Sequence, residues 1–135
     1  MKIHNQLEYN QNGEKVIVYN TMLKGALTSL ADFSPYFNYL CVGSGRTVNN
    51  QNMSFLDNFI SAYEMEISNY NTNINNGNLY ITKSARVRAV SPMSISEVGV
   101  SRSESGEGLV NRFVLPTAIE VGAGGEVLLT LTINL

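Results

Sequence analysis

The chain has no tryptophan, a single cysteine, a single histidine and three prolines in 135 residues. Cys41 has no second thiol for an internal disulfide, and with His4 as the one imidazole the chain lacks the nitrogen and sulfur ligands of a tetrahedral zinc site. Cys41 lies in the apolar run YLCV, residues 39–42, which predicts a small buried hydrophobe. Charge is sparse: 15% of residues carry it, and the formal net value is −2. No basic field is available to hold a phosphate backbone, so nucleic acid is not an expected partner. No window approaches the roughly 20 apolar residues of a membrane helix. The opening MKIHNQLEYN lacks the apolar centre of a secretion signal. A soluble chain without membrane insertion is expected. Serine catalysis needs a histidine base, and His4 sits in a terminal segment, so no enzyme activity and no cofactor are expected.

What the chain does have is patterned hydrophobicity, 44% in all, enough for the core of one domain. LEY and KVIVY flank Gln11-Asn12-Gly13-Glu14, and Asn-Gly is a strong hairpin turn signal. In residues 21–31 the period changes: Leu23, Ala26, Leu27, Leu30 and Ala31 fall on one helical face. Asn20 or Thr21 can cap this helix, and Pro35 prevents its continuation. FNYLCVGSGR then reads as an apolar strand ended by Gly43-Ser44-Gly45. A phosphate-binding loop would need Gly-Lys-Ser/Thr and a following helix, but TVNNQN follows, so a strand-ending turn is the expectation.

Residues 59–70 and 79–90 alternate. Tyr63, Met65 and Ile67 interleave with Glu64, Glu66 and Ser68, while Ile81, Ala85, Val87 and Ala89 interleave with Thr82, Ser84, Arg86 and Arg88. A three-residue turn, Asn75-Asn76-Gly77, makes the apolar faces agree by setting Ile67 opposite Ala85 and Met65 opposite Val87. It also sets Glu66 opposite Arg86 and Glu64 opposite Arg88. Surface ion pairs, or pairs across a subunit contact, suit this complementary order better than a catalytic carboxylate cluster. Residues 118–121 read as a short strand, Gly122, Gly124 and Gly125 as a turn, and residues 126–135 as a long terminal strand.

ISEVGVSRSESGEGLVNRFVL, residues 95–115, holds two apolar strands around the polar tract 101–108. The tract is expected to connect a hairpin, with Arg102, Glu104 and Glu107 displayed on a loop longer than the usual two to five residues. Many short strands, frequent turn signals and one helix predict a mainly β protein. The expected fold is an antiparallel β-sandwich, jelly-roll-like, of about eight strands with one α-helix in the N-terminal half.

NTMLKGALTSLAD, YLCVGSGR, the Glu64/Arg86 region, ISEVGV, LVNRFVL and GEVLLTLTINL occur in that order. The series resembles small tail, tail-fibre or baseplate-associated virion proteins of tailed bacteriophages. The resemblance covers residues 20–135; only Pro116 follows the Asn-Arg phrase, where the family often has a Pro-rich piece. Residues 1–19 have no counterpart and are expected to form an N-terminal hairpin or attachment arm. The resemblance implies a non-enzymatic virion subunit, made in the host cytoplasm and located in the tail or neck. Its implied partners are copies of itself and other tail or neck proteins, as a ring or trimer; the alternative is a receptor-binding module for host surface glycan. Glu97 and Arg112 are polar residues inside apolar strands. A hairpin would bring them together, either as a fold-stabilising ion pair or as a contact to the next subunit.

Overall fold

The computed structural model describes residues 4–20, 39–48, 53–71, 80–109 and 111–134. The expected helix at 21–31 and the expected turn at 75–77 lie outside these residues. Among the described residues the regular structure is all β.

Among the described residues nine strands form two antiparallel sheets: β1 (His4–Gln11), β2 (Glu14–Asn20), β3 (Tyr39–Gly43), β4 (Phe59–Glu64), β5 (Glu66–Asn71), β6 (Tyr80–Arg88), β7 (Met93–Ser101), β8 (Asn111–Val121) and β9 (Glu126–Asn134). The larger sheet runs β2-β1-β9-β6-β5 and the smaller β4-β3-β7-β8. The chain therefore passes from sheet to sheet one hairpin at a time, which refines the jelly-roll-like expectation. Alternating side chains meet between the layers: Leu7, Tyr9, Val87, Leu129 and Leu131 from the larger sheet, Leu40, Val42, Ile95, Val98, Phe113 and Leu115 from the smaller. Burial of such side chains, each contributing about 1.5–3 kcal/mol, holds the sheets together.

The N-terminal hairpin forms with Gln11 opposite Glu14 across a two-residue turn. Asn12 and Gly13 have φ of 53° and 80°, the paired positive values of a turn whose twist matches that of the strands. β1 also pairs with β9, so the hairpin is part of the larger sheet rather than an arm standing apart from it. A Cβ at Gly13 would meet nothing within 4 Å, so Gly13→Ala strains only the backbone. Urea unfolding should show a loss of about 1–2 kcal/mol.

Two expectations are corrected. The alternating run 59–70 is not one strand: it breaks at Met65, which is buried in the main core, so β4 joins the smaller sheet and β5 the larger. With the strand switching sheets and a register shift between Ile67 and Asn69, Ile67 stands opposite Lys83, not Ala85, and Glu66 opposite Ser84, not Arg86. Met65 does not pair with Val87, because β5 meets β6 only from Glu66↔Ser84 to Asn71↔Tyr80. Second, the strands expected on either side of Pro116 are one strand, β8. A register shift between Ile95 and Glu97 absorbs the extra residues, and proline is tolerated because β8 is an edge strand. The glycine turn at 122–125 returns the chain to the larger sheet. It docks on the end of β6, where the Gly124 N–H donates to Ala89 O at 2.7 Å and the Ala89 N–H to Gly125 O at 2.9 Å.

Candidate functional site

The outer face of the smaller sheet is covered around Cys41, Gly99 and Arg112. Residues 44–47 and 53–58 cross it, and what fastens them is the β7–β8 hairpin. The register shift between Ile95 and Glu97 is a β-bulge, and both Ser96 and Glu97 reach Gly45 from it. Ser96 Oγ donates to Gly45 O at 3.0 Å, while the Gly45 N–H donates to Glu97 Oε2 at 2.6 Å.

Glu97 is fully buried and its carboxylate is filled with donors. Oε2 also accepts the Asn58 N–H at 2.7 Å; Oε1 accepts the Asp57 N–H at 2.8 Å and Arg112 Nε at 2.9 Å. Arg112, equally buried, donates from Nη1 to Thr47 O at 2.7 Å and lies 3.9 Å from Met53 Sδ. Arg46 adds a tether from the same segment, donating from Nη2 to Leu115 O at 3.2 Å. The expected Glu97–Arg112 pair is thus made inside the fold, where its burial leaves no surface for a neighbouring subunit.

Gly43-Ser44-Gly45 does more than end a strand. Its Gly45 amide joins those of Asp57 and Asn58 in cradling an anion, and that anion is the chain's own Glu97. A Cβ on Gly43 would lie 2.5 Å from Asn58 O and 2.8 Å from Glu97 Oε2, and one on Gly45 would overlap Asp57 Cβ and Glu97 Oε2. The Ser44 N–H donates to Asn58 O at 3.0 Å, and the Asn58 side chain bonds Ser44 Oγ. Main-chain donors aimed at a carboxylate give short, charge-assisted hydrogen bonds, which offset the cost of burying it.

Beside the ion pair a second apolar cluster, Cys41, Leu56 and Leu109 with Met53 and Ala62, seals the overlying segment to the sheet. Cys41 is buried as expected, with Sγ 2.9 Å from Ser101 Oγ. Burial pushes its thiol pKa up, and the Ser101 contact offsets this in part. The polar tract after β7 is a hairpin connection with internal structure: the Arg102 N–H donates to Glu107 O and the Gly106 N–H to Ser103 O. Gly106 at φ +86° packs on the Phe59 ring, and Gly108 at φ +71° lies against the aliphatic stem of Arg102. The Leu109 N–H then donates to Ser54 O, tying tract and overlying segment together. Arg102, Glu104 and Glu107 are exposed on it.

Glu64, Glu66, Arg86 and Arg88 lie together, with Ser84 and Leu128, around an open groove of about 610 Å³ on the larger sheet. Their cross-strand pairing is not the expected one. Arg86 Nη1 and Arg88 Nε each meet Glu126, at 3.2 and 3.1 Å, because β9 lies between β6 and β1 and brings Glu126 opposite Arg88. Glu126 was legible only as the first residue of the terminal strand. Lys83 obeys the alternation against its own polarity: in step with Ala85, Val87 and Ala89 it is buried, and desolvation lowers its pKa. On the inner face, Tyr9 and Asn111 bury polar atoms that have no hydrogen-bond partner among the described residues; an unmade bond of this kind costs about 1–3 kcal/mol.

Among the described residues no three His, Cys, Asp or Glu side chains are grouped to hold a metal ion. No helix among them is long and apolar enough to cross a membrane. No protein-family model matches the chain, and no curated protein or solved structure shows significant similarity to it.

Proposed function

We propose that this chain is a structural subunit of a tailed-bacteriophage virion, a tail, neck/collar or fibre-attachment component that assembles in many copies as a ring or trimer through edge strands and loops. The observation that carries the reading is an open sheet border, since among the described residues nothing pairs with the far side of β2, in a chain whose most elaborate polar constellation is spent on internal fastening. Unpaired edges are a hazard to a solitary protein and a resource for one that works in an assembly. Loops pinned to the sheet by a buried carboxylate present a rigid surface to neighbours, so less ordering entropy is lost on contact. The test is proteomic and genetic. Purified particles of a phage carrying this gene should contain the chain in fixed stoichiometry, and disruption of the gene should give particles with incomplete tails. Particles that lack the chain and assemble normally without it would refute the proposal.

One observation favours a receptor-binding module as the second reading. Asn10, Asn12 and Thr117 line a cleft of about 490 Å³, with Gln11 tied to Ala118 O and Glu120 to Ser94 beside them, and present amides and a hydroxyl to sugar hydroxyls. Binding of the purified chain to host polysaccharide, lost on Asn10→Ala, supports this reading; absence of binding removes it.

A further inference from the structure

Three of the four sheet edges carry a device that discourages a new strand. β8 has Pro116 and a register shift, β4 has a register shift opposite Val42 and Gly43, and β5 has one between Ile67 and Asn69. β2 has none: its register with β1 runs unbroken from Asn5↔Asn20 to Gln11↔Glu14, and it contains no proline. Among the described residues nothing pairs with its far side. It also exposes apolar surface, with Ile17 37% and Tyr19 68% accessible. Its one cation, Lys15, is turned toward its own sheet by Glu8, with Nζ 2.6 Å from Oε1. Long, flat, apolar edges of this kind are templates for strand addition.

We propose that β2 pairs antiparallel with β2 of a second copy, about a two-fold axis that runs between Ile17 and its equivalent. The register follows from the hairpin. Across a two-residue turn the pairs alternate between bonded and non-bonded, so Gln11/Glu14, Tyr9/Val16 and Leu7/Val18 exchange hydrogen bonds within the hairpin. Lys15, Ile17 and Tyr19 therefore turn their N–H and C=O groups to the free side. With Ile17 opposite Ile17 of the copy, all three residues are used and about six main-chain hydrogen bonds form. KVIVY is self-complementary in this register. Val16 meets Val18 and extends the inner apolar face, Ile17 meets its equivalent outside, and Lys15, neutralised by Glu8 of its own sheet, stands opposite the uncharged Tyr19. No like charges oppose each other. Sliding by one residue would put apolar side chains on the wrong face, and sliding by two forfeits hydrogen bonds. The second copy, rather than an unrelated strand, is the occupant because of this match.

The contact is independent of the virion reading: a cellular protein could use it, and in a particle it would join two subunits or two rings back to back. Sedimentation of the full chain should show a concentration-dependent dimer. Ile17→Lys sets two ammonium groups opposite each other and should weaken dimerisation at least about tenfold, with circular dichroism unchanged because Ile17 lies on the outer face. Ile17→Thr, a good strand former, should retain the dimer. Ile17→Cys should form a covalent dimer on mild oxidation, since residues opposed in a bonded pair have Cα atoms about 5.5 Å apart and Cys41 is buried. That cross-link separates two-fold pairing from pairing of β2 with another edge, which never places residue 17 against itself. A wild-type chain that stays monomeric at all concentrations overturns the proposal. So does a dimer that survives Ile17→Lys, or one in which Ile17→Cys fails to cross-link.

Discussion

Glu97→Ala should lower the stability of the folded chain by about 3–5 kcal/mol, a large part of the 5–15 kcal/mol that holds a typical domain. The substitution removes the counter-ion of a fully buried Arg112 and leaves the amides of Gly45, Asp57 and Asn58 without an acceptor. Leaving a charge buried and unpaired costs more than the pair contributes when intact, so the double variant Glu97→Leu/Arg112→Met should recover the part of the loss due to the guanidinium, while the three amides still lack an acceptor. Glu97→Gln is no rescue. All four groups facing the carboxylate are donors, and an amide accepts on one oxygen only. The loss should first appear locally: hydrogen exchange at Gly45, Asp57 and Asn58 should quicken by more than at β9. A melting temperature within about 2 °C of wild type would show that the clasp is not structural.

Gly45→Ala attacks the same clasp from the opposite side and should cost about 2–4 kcal/mol. The added methyl overlaps Asp57 Cβ and Glu97 Oε2, neither of which is the free end of a flexible chain, so the crossing segment must lift off the carboxylate. Gly122→Ala is the control, since a Cβ there meets nothing within 4 Å. Its thermal melt should match wild type or rise slightly, because alanine reduces the freedom of the unfolded chain. Equal effects at the two glycines would mean that close approach at Gly45 does not decide stability.

Both predictions place the chain's most expensive polar chemistry in its own architecture. An ion pair with three additional main-chain donors is assembled to hold one segment against one sheet, and the surfaces left for partners are edges and exposed loops. That division is what the proposed assembly role requires. A subunit that repeats in a particle needs loops that keep their shape and borders that can be joined.

The first hairpin was readable because its information is local: Asn12-Gly13 sets the turn and the turn sets the register. β9 was readable because its period-two alternation is uninterrupted. The pairing of Glu97 with Arg112 was readable as well, since two polar residues set in apolar strands on either side of a turn have few places to go. The cradle around Glu97 was not. Its donors are backbone amides of Gly45, Asp57 and Asn58, and an amide carries no residue-type signal. Nor was the partner of Arg86 and Arg88, because Glu126 reaches them only through the insertion of β9 between β1 and β6.

The amino-acid order alone determined that the chain would be a layered β protein with a buried thiol, a two-residue first turn and an alternating terminal strand. Each of these follows from interactions between near neighbours. The break at Met65, the capture of Arg86 and Arg88 by Glu126 and the use of a glycine turn beside the chain's own carboxylate were decided only in three dimensions. They depend on which sheet each segment joins, and that choice is made by packing among residues far apart in the chain.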